Sequence, residues 1–414
     1  MGQRMRIIII GQGPAGTSAI ESIRSYDQES EITVISGENS IPYSPTLLPD
    51  YLLNKEKEVL FWKGKDFFSR MNVHAILGEK ATKIFPEENK LLTQSKKEFT
   101  YDKLLLAAGA FVTIPKIKGL DKKGIFSFKT LEDTENILNW LGKERVKRAV
   151  VIGAGFIGLD AAIVLKQKGL DVKVVEILDH VLPAMLDKEM GEHAIGILEK
   201  KGIQILCEEK VVEIKGKKKV NKVILESGKE LKCEIVILAA GVKPNLSFID
   251  GKLKTGRGII VNQYLQTSIE NVFAAGDIIE FEDKITEERR VNAIHPNAVI
   301  QGRVAGKNII GQREKYSGLE GINIIKIFDL PIVSAGAMQG NVIRKFEEGE
   351  YRKFYVKDKR IVGLQFVGST DKAGIYYSLM GKHESLEGKE RLIFDERFNY
   401  GYMLTLCCKA PALL

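Results

Sequence analysis

The stretch Ile7–Gly16, IIIIGQGPAG, restricts the fold of this chain more than any other segment. Four isoleucines lead into Gly11, Gly13 and Gly16, and the helix-compatible stretch Thr17–Ser25 follows. An apolar run that ends in glycines and continues into a helix predicts a buried strand, a tight turn and a helix start. The first glycine permits the turn, the second lets backbone approach a phosphate, and the third lets helix pack on strand.

The amides at the start of this predicted helix have no partner within the helix, so they can bind an anion. Pro14 suits the first helical turn because its ring fixes φ and its missing N–H removes a donor that the helix cannot use. We therefore interpret this first glycine loop, Gly11–Gly16, as a site for the pyrophosphate of a dinucleotide. A single motif of this kind is equally consistent with a turn that binds nothing.

A second copy of the motif favours the binding interpretation. Ala149–Ala162, AVVIGAGFIGLDAA, repeats the strand, the glycines and an apolar helix. The glycines of this second glycine loop are Gly153, Gly155 and Gly158. A strand ending in Ala-Ala-Gly follows each copy, LLLAAG at Leu104–Gly109 and IVILAAG at Ile235–Gly241. Because the flanking elements repeat as well, the sequence predicts two whole dinucleotide-binding domains of Rossmann type.

The composition is that of an ordinary globular protein with room for two or three domains. The 414 residues are 44% hydrophobic and 28% charged, and the net charge of +8 is spread along the chain. The apolar run Ile7–Ile10 is too short for a secretory signal, and Ala149–Leu165 contains Asp160 and three glycines, unlike a membrane span. We therefore expect a cytoplasmic protein with no membrane span and no nucleic-acid partner.

The C-terminal part of the chain has a different pattern, with short alternating runs between glycines. These runs predict an antiparallel sheet covered by a helix at Ala373–Met380. The predicted strands are Asn323–Phe328, Tyr351–Val356 and Ile361–Val367. The apolar tail Phe398–Leu414 is expected to pack on something, such as another subunit. The four cysteines show no zinc spacing, and for Cys407–Cys408 in the tail both a redox role and two unreactive thiols remain open.

Two acidic residues follow predicted strands at the position where an adenosine ribose binds in such domains. After the strand Glu31–Ile35 the usual acidic slots hold serine and glycine, so Glu38 is the candidate, with a solvated loop carboxylate as the alternative. Glu176 ends the strand Val172–Val175, 18 residues after Gly158. A carboxylate there accepts hydrogen bonds from the ribose and repels a 2′-phosphate, which predicts NADH rather than NADPH.

The loop Ile41–Leu53, IPYSPTLLPDYLL, is stiffened by three prolines and two tyrosines and suits a flavin ring. With this loop the chain resembles, over nearly its full length, the FAD-dependent pyridine nucleotide-disulfide oxidoreductases of the NADH oxidase, rubredoxin or ferredoxin reductase and nitrite reductase flavodomain type. The flavoprotein subunits associated with iron–sulfur 2-oxoacid dehydrogenases look similar in PYSPTLLP. The other matching segments are YDKLLLAAGA at Tyr101–Ala110, SFKTLEDT at Ser127–Thr134, VVEILDHVLP at Val174–Pro183, ILAAGVKPN at Ile237–Asn245 and VFAAGDI at Val272–Ile278.

The resemblance implies an α/β fold of the glutathione reductase type. It implies a discontinuous FAD-binding domain at residues 1–112 and 243–320, an inserted NAD-binding domain at 113–242, and a C-terminal α+β interface domain at 321–414. In the family this last domain builds a dimer and closes the far side of the flavin.

The resemblance also implies which residues bind the cofactors FAD and NAD. Asp277 is expected at a strand end, where it holds the ribityl hydroxyls, caps a following helix, or does both. For His295, a cofactor contact and a structural role are both open. The residues expected at the FAD are Gly11, Gly13, Pro14, Ala15, Gly16, Glu38, Tyr43, Ser44, Pro45, Ala81, Ala108, Gly109, Gly276, Asp277 and His295. The residues expected at the NAD are Gly153, Gly155, Ile157, Gly158, Asp160, Glu176 and Gly241.

Two positions are expected to influence catalysis. Cofactors supply the hydride transfer, while the protein stacks the two rings roughly 3–3.5 Å apart. Phe156 is expected to cover the flavin until NADH displaces it, or else to pack its helix. Relatives that reduce disulfides or oxygen carry a redox cysteine in the flavin loop, but this chain has Thr46 there, and Pro45 stands where reductases usually carry arginine. A hydroxyl cannot form a sulfenate or a disulfide, so electrons are expected to leave the flavin directly.

The predicted function is that of an FAD-dependent NADH:acceptor oxidoreductase whose partner is a ferredoxin- or rubredoxin-like iron–sulfur protein. The chain is expected to act as a homodimer or as the flavoprotein subunit of a larger redox complex. Two alternatives stay open: an NADH oxidase that uses oxygen, and a non-catalytic, flavin-loaded assembly or NADH-sensing subunit. The sequence does not name the acceptor or the direction of electron flow.

Overall fold

Two five-stranded parallel sheets share one strand pattern, each with the strand that enters a glycine loop at its centre. The computed structural model describes residues 4–319, 321–347, 349–387, 390–395, 398, 399 and 401. The first sheet has the order β19 (Val272–Ala274), β7 (Lys103–Leu106), β1 (Arg6–Ile10), β2 (Glu31–Ser36) and β3 (Val73–Leu77). The second has the order β9 (Ile125–Ser127), β16 (Ile235–Leu238), β10 (Arg148–Ile152), β11 (Asp171–Val175) and β12 (Ile203–Leu206).

The two sheets differ in the origin of one edge strand. In the second sheet, β9 precedes the glycine loop in sequence, whereas in the first sheet β19 arrives from far downstream of it. The chain crosses between the sheets through a two-stranded antiparallel ribbon of β8 (Ala110–Val112) and β17 (Val242–Pro244). The predicted domain limits at residues 112 and 243 fall within this ribbon.

Smaller antiparallel sheets accompany the parallel ones, and each parallel unit carries a three-stranded example. They are β4 (Ala81–Phe85), β5 (Lys90–Thr93) and β6 (Glu98–Thr100) in the first unit, and β13 (Val211–Lys215), β14 (Lys222–Leu225) and β15 (Glu230–Lys232) in the second. A third set of three strands is mixed: β18 (Ile259–Ile260) pairs in parallel with β20 (Ile279–Glu282), which pairs antiparallel with β21 (Arg289–Arg290).

The described helices cover the faces of the sheets. They are α1 (Pro14–Arg24), α2 (Leu48–Asn54), α3 (Phe67–Arg70), α4 (Leu131–Lys143), α5 (Phe156–Gln167), α6 (Lys188–Lys200), α7 (His295–Ile309) and α8 (Ala373–Gly381). Short 3₁₀ turns occur at Pro45–Leu47, Lys57–Leu60, Pro86–Glu88 and Glu390–Phe394. Within the residues that the structure describes, no helix is both long enough and apolar enough to span a lipid bilayer.

Close packing of α7 on α1 brings a distant part of the chain to the first glycine loop. A Cβ on Gly302 would lie 2.1 Å from the carbonyl oxygen of Ala15, and one on Gly306 would lie 2.6 Å from that of Ala19. These two glycines therefore let the helix backbones approach within a distance that any side chain would prevent. As a result, the middle of α7 lies against the first turn of α1, and His295 at the start of α7 lines one small pocket with Pro14 and Thr17.

The C-terminal sheet is antiparallel and covered by α8, as predicted, but it has five strands rather than the three named from the sequence. Its order is β22 (Ile322–Ile327), β23 (Leu330–Gly336), β26 (Arg360–Val367), β25 (Glu350–Lys357) and β24 (Asn341–Glu347). The sequence pattern missed β23 and β24, because β23 contains a proline and a glycine and β24 is largely exposed. Of the predicted apolar tail, Phe398 is buried and stacks on Tyr376, whereas Cys407–Cys408 lie outside the described residues.

Candidate functional site

The first glycine of each loop is held in the same way. Gly11 has a φ of 105° and Gly153 a φ of 107°, a left-handed region that favours glycine. A Cβ on Gly11 would lie 2.2 Å from the carbonyl oxygen of Ala107, and one on Gly153 would lie 2.4 Å from that of Ala239. The repeated Ala-Ala-Gly segments therefore supply the backbone against which each glycine loop closes.

The third glycine of each loop has a packing role. A Cβ on Gly16 would lie 2.1 Å from the carbonyl oxygen of Gly11, and one on Gly158 would lie 2.0 Å from that of Gly153. Neither Gly16 nor Gly158 lines the cavity described below. These two residues set the distance between helix and strand, which is the role that the sequence pattern assigns to a third glycine.

The second glycine of each loop, Gly13 or Gly155, has free space in front of its Cα. An ideal Cβ on Gly13 or on Gly155 would meet no heavy atom within 4 Å. Both glycines occupy the N-cap position of their helices, α1 and α5, and neither helix start has a side-chain cap. Free amides and an open approach are therefore present at both helix N-termini, the combination that binds phosphate groups.

One continuous cavity of about 2180 Å³ connects the two glycine loops. A typical ligand pocket measures roughly 300–1,000 Å³, so this cavity has room for two dinucleotides. Of the residues predicted at the cofactors, those that line it are Gly11, Gly13, Pro14, Ala15, Glu38, Tyr43, Pro45, Thr46, Ala81, Ala108, Gly109, Gly153, Gly155, Phe156, Ile157, Asp160, Glu176, Gly241, Gly276, Asp277 and His295. Ser44, like the two packing glycines, does not line it.

Glu38 is hydrogen-bonded to the predicted flavin loop. The hydroxyl of Tyr43 donates to Oε2 of Glu38 at 2.7 Å and accepts from the backbone N–H of Leu131 at 3.1 Å. Burial raises the pKa of Glu38, and the Tyr43 hydrogen bond opposes this effect. Tyr43 thus links the end of β2 to the first turn of α4, a contact that the sequence analysis missed.

Asp277 and His295 lie close together in the cavity. Asp277 occupies the turn between β19 and β20, so the expectation that it caps a following helix is wrong, because a strand follows instead. His295 begins α7. Burial raises the pKa of Asp277, while Lys129 and His295 oppose the rise. Burial and the nearby Lys63 lower the pKa of His295, and Asp277 acts in the opposite sense.

Glu176 is buried at the end of β11, against the second glycine loop. Its Oε2 accepts from the backbone N–H of Ala154 at 2.7 Å, and its Oε1 accepts from that of Leu178 at 3.0 Å. Two backbone donors fix the carboxylate in orientation, and each oxygen retains a lone pair that can accept a further hydrogen bond. This geometry suits a carboxylate that receives hydroxyl groups from a ribose.

The predicted flavin loop contains no thiol. Thr46 is exposed to the cavity, with its hydroxyl 2.9 Å from that of Ser44. The cysteines that the structure describes, Cys207 and Cys233, do not line the cavity. Burial raises their pKa values to about 11 and about 12, so both thiols are protonated and unreactive near neutral pH. Within the described ranges, no cluster of side chains has the composition of a metal site.

Three cavity features escaped the sequence analysis. Asp50 on α2 and Ile324 on β22 line the cavity, although neither belongs to a recognised motif. Gln12 is 5% exposed, and its Nε2 donates to the carbonyl oxygen of Ser40 at 2.7 Å, while its Oε1 has no partner. Asp50 was within reach of the sequence analysis, because it lies in the same segment as the flavin loop.

These features define a protein with two dinucleotide-binding units that share one cleft, and comparison with known proteins identifies its family. Residues 5–302 match the pyridine nucleotide-disulphide oxidoreductase family, and the chain belongs to that family. Members of the family bind FAD and NAD(P)H. The chain is therefore an NAD(P)H-dependent flavin oxidoreductase, which confirms the resemblance seen in the sequence.

Named relatives include proteins with different electron acceptors. The chain is 36% identical to the NADH oxidase of Methanocaldococcus jannaschii, over 88% of this chain and 88% of the relative. It is 31% identical to the epsilon subunit of the NADH-dependent phenylglyoxylate dehydrogenase of Aromatoleum evansii, over 93% of each chain. The solved structure of NADH:rubredoxin oxidoreductase from Clostridium acetobutylicum is 26% identical, with a TM-score of 0.79 over 98% of this chain and 100% of that one.

The Glu176→Ala variant is expected to lose most of its discrimination between NADH and NADPH. If Glu176 holds the adenosine ribose as predicted, removing its carboxylate would remove two acceptor atoms for the ribose hydroxyls and the charge that would repel a 2′-phosphate. We expect the ratio of kcat/KM for NADH to that for NADPH to fall about tenfold, or about 1.4 kcal/mol. Steady-state kinetics with both nucleotides measure this ratio.

A matched control for this variant is Glu209→Ala, which removes another carboxylate lining the same cavity. The side chain of Glu209 accepts a hydrogen bond from the hydroxyl of Ser227, and its loss is expected to change the ratio less than about twofold. Equal wild-type kcat/KM values for NADH and NADPH would contradict the assignment of Glu176.

Proposed function

We propose that this chain is an FAD flavoprotein that takes a hydride from NADH and passes electrons singly to an iron–sulfur carrier. The observation that carries the proposal is the single cavity with two open glycine loops and a threonine in place of the redox thiol. Bound FAD and NADH would supply the hydride transfer, and a flavin accepts electrons in pairs yet releases them one at a time. The residues present fit both cofactors.

Under this proposal the first glycine loop, with Glu38, Gly109, Asp277 and His295, holds the FAD. The open face of Gly13 is where backbone amides would receive its pyrophosphate. The second glycine loop would receive the NADH pyrophosphate at Gly155, with the adenosine ribose on Glu176. The proposal also retains the domain limits at residues 112, 243 and 320.

Phe156 and Thr46 have distinct parts in the proposal. Phe156 is the first residue of α5 and lines the cavity, so it would cover the flavin until the nicotinamide ring displaces it. Thr46 would exclude a thiol relay, because its hydroxyl neither attacks a disulfide nor stores an oxidising equivalent. Direct transfer from flavin to carrier is the remaining route for the electrons.

Support for an iron–sulfur acceptor comes from the relatives and from the charge. The rubredoxin oxidoreductase named above is similar over the whole of both chains. The net charge of +8 would favour an acidic carrier, because electrostatic steering raises the rate of association between oppositely charged proteins. The similarity to an NADH oxidase makes oxygen the second candidate acceptor.

The proposal is tested by reducing the purified flavoprotein with NADH under anaerobic conditions and mixing it with candidate acceptors. We expect ferredoxin or rubredoxin to reoxidise it at least about tenfold faster than air-saturated buffer. The carrier rate is also expected to fall as salt is added, because the Debye length is about 10 Å at 0.1 M. Oxygen uptake as fast as the best carrier, or comparable turnover of a disulfide, would refute the choice of acceptor.

A further inference from the structure

Two helices that line the cavity bring two carboxyl groups to its wall. Asp160 lies on α5, four residues and about one turn after Phe156, so both side chains share a face of the helix. Asp50 lies on α2, which packs against α5. Both aspartates line the same cavity as the glycine loops.

Neither carboxyl group has a partner of opposite charge. Among the described residues, no donor hydrogen-bonds to Asp160 or Asp50, and no cation pairs with either. Burial, and secondarily the charge of Asp50, raise the pKa of Asp160 to about 7. Asp160 is partly buried, whereas Asp50 is exposed. Carboxylates inside proteins are normally paired or hydrogen-bonded, so Asp160, which faces an open cavity, has unused capacity for a cation or a proton.

The elements that pack against α5 carry several other charged side chains. Asp50 is the charged group among them that shifts the pKa of Asp160. Lys168, just after α5, donates to the carbonyl oxygen of Leu53 at 3.0 Å. Arg148 on β10 pairs with Glu234. The remaining charged side chains are Lys166 on α5, Lys55 after α2, Asp171 and Lys173 on β11, and Lys326 on β22.

The position of Asp160 relative to the glycine loop indicates which part of the nucleotide it meets. This step rests on the proposed function. In that assignment the adenosine lies at Glu176 and the pyrophosphate at Gly155. The cavity continues from Gly155 along the face of α5 that carries Phe156 and Asp160 and reaches α2 at Asp50, so the nicotinamide half would occupy this part of it. Asp160 and Asp50 then lie at the nicotinamide half of the site.

We propose that Asp160, with Asp50 beside it, makes the cleft discriminate between oxidised and reduced nicotinamide by means of one proton. The NAD⁺ ring is cationic, so it favours the ionised carboxylate, whereas the dihydronicotinamide ring of NADH is neutral and favours the protonated one. NAD⁺ binding to the protonated site therefore releases a proton to solvent. Because the coupling is reciprocal, a rise in pH strengthens the binding of NAD⁺ selectively.

Calorimetric titration of the FAD-loaded protein with NAD⁺ at several pH values tests this inference. Titrations in two buffers of different ionisation enthalpy also count the protons released. We expect NAD⁺ affinity to rise about tenfold from pH 6 to pH 8, with about one proton released per nucleotide at pH 6, as for one group that titrates near pH 7. The neutral-ring analogue 1,4,5,6-tetrahydro-NAD, which cannot donate hydride, is expected to bind without this rise.

Three variants separate the proposed group from others. Asp160→Asn is expected to abolish the pH dependence of NAD⁺ affinity, and Asp50→Asn to move its midpoint to lower pH by removing a neighbouring negative charge. Asp121→Asn, at a side chain that is 85% exposed, is expected to leave it unchanged. If a variant fails to fold, the number of protons that the wild-type protein releases on binding NAD⁺ still tests the inference.

The outcomes distinguish this inference from the function on which it rests. Wild-type NAD⁺ affinity that is independent of pH, or an unchanged dependence in Asp160→Asn, would overturn the role of Asp160 and leave the nicotinamide site intact. Failure of both NAD⁺ and the analogue to bind at any pH would overturn the nicotinamide site itself.

Discussion

The Gly13→Val variant is expected to fold normally and to purify without flavin. A Cβ at Gly13 meets no protein atom within 4 Å, and φ of −68° with ψ of −171° is a conformation that valine adopts readily. The branched side chain would instead occupy the space through which a pyrophosphate must approach the amides of α1. Bound FAD, measured by visible absorbance after gel filtration, should fall from about one per chain to nearly none.

The repeat in the chain provides the matched variant, Gly155→Val. Its glycine is equally open and has nearly the same backbone conformation, with φ of −76° and ψ of −173°. This protein is expected to keep its FAD while the apparent affinity for NADH falls about a hundredfold, or about 2.7 kcal/mol. Rapid mixing with NADH, monitored by bleaching of the flavin, measures the affinity.

The control variant is Gly142→Val. Gly142 is exposed in α4, and a Cβ at this position would also meet no heavy atom within 4 Å. This variant should retain both FAD and the wild-type response to NADH. Normal flavin content in Gly13→Val would contradict the assignment of the first loop to FAD. Loss of flavin in Gly155→Val alone would mean that the two loops have been assigned in the wrong order.

The Lys353→Met variant is expected to lose about 3 kcal/mol of unfolding free energy, the lower end of the range for breaking a buried ion pair. Lys353 is 4% exposed on β25, and its ammonium lies 2.5 Å from Oδ2 of Asp187 and 2.6 Å from Oε2 of Glu189. Asp187 also caps α6 by accepting from the backbone N–H of Met190. Losing the ammonium would leave Asp187 without a cation where α6 meets the C-terminal sheet, with the Tyr355 hydroxyl still donating to it, whereas Glu189 would keep its ion pair with Arg344.

Urea unfolding of the FAD-loaded proteins measures the difference, with Lys345→Met as the control. Lys345 on β24 pairs with exposed Glu347 at 2.6 Å, and its loss is expected to cost less than about 0.5 kcal/mol. A Lys353→Met protein as stable as the control variant would contradict the prediction.

The pH dependence gives a second check on the same cluster. Burial raises the pKa of Asp187, but hydrogen bonds from Lys353, Tyr355 and the backbone of Met190 hold it below its ordinary value. The hydrogen bond from Lys353 likewise holds the pKa of Glu189 below its ordinary value, against the effect of burial. Groups whose folded pKa is depressed stabilise the protein above their unfolded pKa and lose this contribution as the pH falls. The difference between wild type and Lys353→Met should therefore shrink below about pH 4.

The amino-acid sequence by itself determined the local structure at both glycine loops. An apolar run, three glycines at fixed spacing and a helix-forming segment restrict the backbone within about 20 residues, so β1 with α1 and β10 with α5 followed from the pattern. Repetition of this pattern also predicted that the two parallel sheets would match. The lack of a thiol at Thr46 is likewise a property of the sequence alone.

Only the tertiary structure decided how these units combine into a site. The carbonyl oxygen of Ala107 packs against Gly11, and α7 places His295 in a small pocket with Pro14 of α1. No periodic pattern in the sequence predicts these contacts. The cap expected of Asp277 failed because its neighbours continue as β20. Asp50 and Asp160 line the same part of the cavity only because α2 packs on α5. Such contacts join residues far apart in the chain, and their geometry depends on the packing of whole elements, which a single sequence does not reveal.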